Sequence, residues 1–362
     1  MSTTLFIGRK TTFKRGGRLV FESLYQEYGL NKLLIEVDSS NFSIIRSFFS
    51  ELSSLKDILR SRKSDIDIII IQHNDIREII LAMLAKFIHK EAVLVGPLYH
   101  FENSSINFFK IPFKNILAKF NQKLSFLIYL SQFKIILTED ESIKFMLGKA
   151  APQINVIVER FGANSKILLD QVITNEEKRK SIDLLYLGAI DSSKGIWDFL
   201  DALCEINQKD LNICISGFAT RTMIYEVSTF LKDKQLKNVM FKPNVNDAEK
   251  YNLLLYSKVL VVPSFFEGIP ITFQEAMFTR CLVLAYYLPS YTYFAQNIFT
   301  VPPHNVKELR EQMLNLSNNY EKYNLVIEKN FQFASNNTSD IVARRVIKKI
   351  VDLKSISPKY GK

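Results

Sequence analysis

The chain is constrained most by the order in which short apolar runs and helix-length amphipathic stretches follow one another. In the first half, Thr4–Ile7, Leu33–Val37, Ile66–Ile71, Ala92–Val95 and Phe133–Leu137 are short, mainly apolar runs. The stretches Arg18–Tyr28, Asp75–Lys90 and Glu141–Leu147 between and after them have helical character. Runs that are apolar on both faces and bounded by helices read as buried parallel strands, because an antiparallel strand with one wet face would alternate instead.

The pattern restarts after a charged segment, Asp170 to Ser181. Strands are expected at Ile182–Leu187, Leu211–Ser216, Val239–Phe241, Val259–Val262 and Leu282–Ala285. Helices are expected at Ile196–Ile206, Thr222–Asp233, Asn246–Tyr256, Thr272–Phe278 and Val306–Ser317. At 362 residues the chain exceeds what one core organises. It therefore reads as two doubly wound α/β domains, 1–165 and 166–335. An amphipathic C-terminal helix at Ser339–Leu353 and a tail (336–362) pack back toward the first domain. A ligand belongs at the C-terminal ends of the strands.

Hydrophobic residues make up 47% and charged residues 23%, which suits a folded protein and excludes a disordered or fibrous one. The first residues place charge after a very short apolar run, the reverse of a secretory signal, and no uncharged apolar run approaches the length of a membrane span. Cys204, Cys214 and Cys281 lie in apolar surroundings without metal-ligand spacing and read as buried, reduced thiols. Together these features point to the cytoplasm.

Two segments carry chemistry. In VVPSFFEGIPITFQEAM (Val261–Met277), a strand runs into a loop that holds Glu267, and Glu275 follows eight positions later on a helix. Between them Gly268 and Pro270 free the backbone at a helix start, where unpaired N–H groups and the dipole favour a phosphate. In LLYLGAIDSSKGIWDFLDAL (Leu184–Leu203), a strand, a small polar loop with Lys194 and Gly195, and a helix follow in order.

Pro263, Ser264, Glu267, Gly268, Pro270, Glu275, Ala276 and Met277 resemble the Glu, seven residues, Glu motif of family 4 retaining glycosyltransferases, also described as glycosyl transferases group 1. The Leu184–Leu203 segment resembles that family's phosphate loop. VIVERFGANSK resembles its entry into the second domain, with Gly162 at the usual glycine. The resemblance implies a GT-B fold, two facing Rossmann-like domains with the donor in the second and the acceptor in the first.

It also implies roles. Glu275 accepts from the ribose hydroxyls, Glu267 faces hydroxyls of the transferred sugar, and the backbone of Gly268, Ile269, Pro270 and Ile271 cradles sugar and phosphate. Lys194 neutralises the departing diphosphate. A carboxylate suits vicinal hydroxyls because its two oxygens accept from both. The family often has an arginine where this chain has Ala189, and Arg221 is a candidate substitute cation.

Gly16 and Gly17, after the first strand, resemble the family's glycine-rich turn beside the leaving phosphate. A plain helix-start turn is the alternative. No GxGxxG occurs, so NAD or FAD is not supported. A first-domain histidine in this family often lies near the reacting carbon. His100, after the Gly96–Pro97 turn, is the first choice and His73 the second, while a structural histidine remains open for either. His89 and His304 read as surface residues. Asp65 and Asp67 mimic a DxD metal motif, but they are the polar flank of a buried strand, so no metal is assigned.

The net charge is +10. From Phe101 to Lys134, five lysines and seven phenylalanines stand against one acid, Glu102, and Phe113, Ile116, Leu117, Phe120, Leu124 and Ile128 recur at helical spacing. Either this helix packs its apolar stripe on the domain core, or it lies on an anionic membrane surface. Nucleic-acid signatures are missing.

The resulting expectation is transfer of a sugar from a UDP- or GDP-sugar to a saccharide or lipid-linked acceptor. The anomeric configuration would be retained and no metal cofactor needed, in bacterial cell-surface polysaccharide synthesis such as capsule, exopolysaccharide or lipopolysaccharide. The enzyme would sit in the cytoplasm or peripherally on the inner membrane. An inactive partner subunit and a nucleotide-sugar epimerase of similar fold are the alternatives.

Overall fold

The structure is a computed structural model that describes residues 3–10, 16–28, 32–38, 54–73, 76–98, 126–164, 180–206 and 211–356. Two compact units emerge. The first comprises Met1–Phe161 with Ser339–Lys362, and the second Gly162–Thr338.

The first unit holds strands β1 (Thr3–Lys10), β2 (Lys32–Asp38), β3 (Ile66–Ile71), β4 (Val93–Pro97), β5 (Ile135–Thr138) and β6 (Asn155–Val158). They form one all-parallel sheet in the order β2-β1-β3-β4-β5-β6. Side chains alternate across it. Leu5, Ile7, Ile69, Ile71, Leu94 and Ile136 point into one core, and Phe6, Ile68, Ile70, Val95, Ile135 and Leu137 into the other. This explains why the central strands read as mainly apolar runs.

From β2 onward every crossover steps the same way along the sheet, so right-handed connections place their helices on one face. Residues 54–60, α2 (Ile76–Ile88), residues 126–132 and α3 (Glu141–Ala150) share that core. The opposite face is covered by α1 (Gly16–Glu27) and the C-terminal helix, which bury Phe21, Leu24, Val342, Val346 and Ile350 together.

The second unit holds β7 (Ile182–Leu187), β8 (Ile213–Gly217), β9 (Val239–Pro243), β10 (Ser257–Val262), β11 (Leu282–Tyr286) and β12 (Phe299–Val301). All are parallel, in the order β12-β11-β10-β7-β8-β9. Its helices are α4 (Ile196–Cys204), α5 (Arg221–Asp233), α6 (Asp247–Tyr256), α7 (Ile271–Phe278), α8 (Val306–Asn318) and α9 (Asn324–Ser335). The C-terminal helix α10 (Ser339–Ile356) belongs to the first unit. Strand order reverses between β7 and β10, which opens a crevice at the ends of those two strands.

Each sheet is thus a doubly wound Rossmann-like layer. The edge strands β6 and β12 and helix α9 were not legible. At four and three residues, with one side against solvent, β6 and β12 hold at most three consecutive apolar residues, too short a signal to mark a strand. Cys204 departs from its expected burial: it ends α4 on the solvent side, while Cys214 and Cys281 are buried. Burial pushes their thiols up, to about 11 and about 12.

The basic aromatic stretch lies outside the described residues as far as 125. In the part that is described, one side packs inward and Leu127 stands exposed. Tyr129 and Phe133 are fully buried, and the Tyr129 hydroxyl donates to Pro97 O at 3.0 Å. A Cβ on Gly96 would sit 2.6 Å from that hydroxyl.

Candidate functional site

At the β7/β10 crevice of the second unit, two loops are held in contact by backbone chemistry. The loop after β7 closes as a short 3₁₀ turn, Ser192–Lys194, in which the Asp191 carboxylate accepts from the Ser193 and Lys194 N–H groups. The buried Tyr186 donates from below to Ala189 O at 2.9 Å and to Lys194 O at 3.2 Å. Burial, then the charges of Asp191 and Glu267, push its phenol up, so it stays a donor.

Gly195 adopts φ +69°, and a Cβ there would lie 1.9 Å from Pro263 O. Only glycine permits both the left-handed backbone and the close passage of the β10 loop. The Phe265 N–H donates to Ser193 O at 3.0 Å across the same seam.

This seam delivers Lys194 to Glu267. Their Nζ and Oε1 are 2.7 Å apart, and each side chain is about three-quarters covered. Lys194 also donates to Phe266 O at 3.1 Å. Ser264 Oγ donates to Glu267 Oε1 at 3.1 Å, and Ser290, in the loop after β11, donates to Glu267 O at 2.9 Å. Beneath them Tyr291 is buried, its phenol pushed up by burial and by Glu267.

Gly268 and Ile269 lead to Pro270, which caps α7 without a side-chain bond, and Ile271 opens the helix with no acid in its first turn. The first N–H groups and the dipole of this helix are therefore available to an anion.

Glu275 lies one turn into α7 and is almost fully buried. Its Oε1 accepts from Lys250 Nζ at 2.7 Å and Tyr251 Oη at 3.0 Å. Its Oε2 is buried with no hydrogen-bond partner among the described residues. A buried carboxylate oxygen left without a donor is costly and fits a site built to accept from a ligand.

Gly162 also has a steric reason, since a Cβ would lie 2.0 Å from Asn337 O and 2.3 Å from Gln274 Oε1. Ala189 carries no charge, and Arg221 is exposed in the first turn of α5, after β8.

The sequence did not reveal Lys250, Tyr251 or Ser290. The Asn246 capping box marks the start of α6, but nothing local says that its first turn faces α7. His304 is exposed as expected, yet it has φ +62° and stacks on Phe265 with centroids 4.2 Å apart.

In the first unit, α1 begins at Gly16 itself, so Gly16 and Gly17 occupy its first turn rather than preceding it. His100 lies outside the described residues. His73 follows β3 by two residues, and its Nδ1 is 3.2 Å from Oε1 of the fully buried Glu78. The other oxygen of Glu78 accepts from the N–H groups of Gln72 and His73. His89 is half-buried against Ser61 Oγ, and burial lowers its pKa. Asp67 pairs with Lys354 of α10.

Residues 170–333 match the family model for glycosyl transferases group 1. That segment contains every residue of the crevice just described. Among curated protein sequences none matches the chain significantly.

Solved structures are similar over nearly the whole length. Anabaena HepE in complex with UDP and glucose superposes with a TM-score of 0.68 at 13% identity, covering 97% of this chain and 100% of that one. A glycosyltransferase from Rickettsia africae gives 0.66 at 15%, covering 98% and 99%. The sucrose-phosphate synthase of Thermosynechococcus elongatus gives 0.69 at 10%, covering 99% and 100%. The fold is GT-B, with two Rossmann-like units.

Proposed function

We propose that this chain is a glycosyltransferase that moves a sugar from a UDP- or GDP-sugar to a hydroxyl of a saccharide or lipid-linked saccharide, with retention. The observation that carries the reading is Glu275. One oxygen of its buried carboxylate is held by Lys250 and Tyr251, and the other has no partner among the described residues, on a helix with an uncapped N-terminus. A ribose hydroxyl pair supplies the missing donor, and the diphosphate matches Lys194 and the start of α7. The HepE structures, solved with UDP and with UDP-glucose, support the same class of donor.

In this reading Lys194 turns from Glu267 toward the diphosphate, and Glu267 accepts from hydroxyls of the transferred sugar. The acceptor oxygen bonds to the anomeric carbon on the face from which the diphosphate departs. The carbon–phosphate-oxygen bond breaks, and the acceptor proton passes to the leaving phosphate. Positioning and charge stabilisation supply the rate, with no metal in the scheme. Assembly of bacterial surface polysaccharide is the role that suits such an acceptor.

Titration calorimetry with UDP and GDP tests the donor site: one of them binds, and Glu275→Ala abolishes the binding. A donor screen with and without saccharide acceptors then fixes base and sugar. Turnover of donor to an epimer would make the protein an epimerase, and no nucleotide binding at all would leave a partner subunit.

A further inference from the structure

Helix α2 is apolar on two sides. Ile79, Ala82 and Ala85 face the sheet, while Ile80, Met83, Leu84 and Phe87 stand exposed at spacings of three and four, Phe87 by 77% and Ile80 by 49%. A helix that is greasy all round is ordinarily covered on every side.

The neighbouring helical residues 54–60, which share its core through Leu55 and Ile58, add Leu59 at 64% exposure. A contact of 3.1 Å between Ser61 Oγ and His89 Nε2 ties the end of this segment to the end of α2.

The charge around this face is predominantly basic. Residues 54–65 and 76–91 carry seven lysines and arginines against four acids, Asp57, Asp65, Glu78 and Glu91. Glu78 is fully buried, and Asp57 is paired with Arg60 at 3.3 Å. Arg60, Arg62, Lys63 and Lys90 are exposed around Leu59 and Phe87.

We propose that this face of the first unit, α2 with residues 54–63, docks the protein on an anionic lipid bilayer. Ile80, Met83, Leu84, Phe87 and Leu59 enter the interface, and the basic rim meets lipid phosphates. A second copy fits worse, because a face-to-face pair would oppose like charges. Aliphatic side chains around a single phenylalanine also offer no stacking platform for a nucleic acid. No helix among the described residues is long and apolar enough to span a membrane, so the attachment is interfacial. The surface belongs to the first unit, and it does not depend on the reaction assigned to the β7/β10 crevice of the second.

The experiment is co-sedimentation of the full chain with vesicles of phosphatidylcholine alone and with one-third phosphatidylglycerol, alongside amide exchange of α2. Wild type binds only the anionic vesicles, in a salt-sensitive way, and its α2 amides gain protection on binding. Leu84→Ser with Phe87→Ser lowers the partition coefficient at least roughly tenfold. Arg62→Glu with Lys63→Glu lowers it roughly fivefold or more per charge. These positions are exposed, so circular dichroism and melting confirm intact folds. Unchanged partitioning of both variants overturns the proposal. So does an α2 already fully protected without vesicles, or a concentration-dependent dimer that Phe87→Ser dissolves.

Discussion

Lys194 Nζ lies 2.7 Å from Glu267 Oε1, joining the loop after β7 to the loop after β10 at the point where the strand order of the second sheet reverses. Each partner is still partly open to water, so the pair adds little to stability, about 0–1 kcal/mol after solvent screening. Its weight falls on the site instead. Lys194→Met is expected to leave the melting temperature within a few degrees of wild type while lowering turnover of a nucleotide-sugar donor about 10²- to 10³-fold. Steady-state kinetics beside a thermal melt separates the two effects. A large drop in melting temperature would make the lysine structural.

Gly195 shows the opposite balance. Any side chain there must adopt a left-handed backbone and meet Pro263 O, which would be 1.9 Å from its Cβ. Gly195→Ala should cost at least about 2 kcal/mol, from the unfavourable φ and the backbone displacement combined. Urea denaturation reads this directly. The same variant should weaken nucleotide binding, because the displaced loop after β10 carries Glu267.

Glu275 is a buried charge whose ion-pair partner is Lys250, with Tyr251 donating to the same oxygen. Removing the cation strands the carboxylate, which is the costly way to break such a pair. Lys250→Met is expected to destabilise the second unit by about 2–4 kcal/mol. Glu275→Gln, which keeps an oxygen for Tyr251, should cost less yet still weaken UDP or GDP binding at least tenfold. Chemical denaturation and calorimetry on both variants check the order. Equal nucleotide affinity in Glu275→Gln and wild type would remove Glu275 from the donor site.

These three cases also show what the sequence carried. Glu267, Glu275, Lys194 and Gly195 sit at fixed offsets from buried parallel strands. Once β7 and β10 were recognised as apolar runs, their loops had to meet at the crevice. Lys250, Tyr251 and Ser290 depend on how α6 and the β11 loop pack against α7, a long-range fact with no local periodicity. Edge strands β6 and β12 were lost because, at four and three residues, they are too short to stand out from the loops around them. The outer face of α2 was read as part of an ordinary helix. Sequence alone does not tell which of two apolar sides of a helix the sheet will leave uncovered.

Glu139 directly follows β5 and accepts the Phe161 N–H at 3.2 Å. Burial raises its carboxyl from 4.5 to about 7, against the opposing pull of that hydrogen bond and of the Arg160 guanidinium. Because the folded value lies above the unfolded one, the native state holds the proton more tightly between about pH 4.5 and 7. The stability this contributes is complete below pH 4.5 and is lost as pH rises through about 7. Glu139→Gln keeps an oxygen for Phe161 but removes the charge. It should therefore match wild type near pH 4.5 and exceed it by about 1–3 kcal/mol at pH 8. The difference should grow mostly between pH 5 and 7. Denaturation midpoints of the two proteins across that range measure it, and a difference independent of pH would show that Glu139 is not the group titrating.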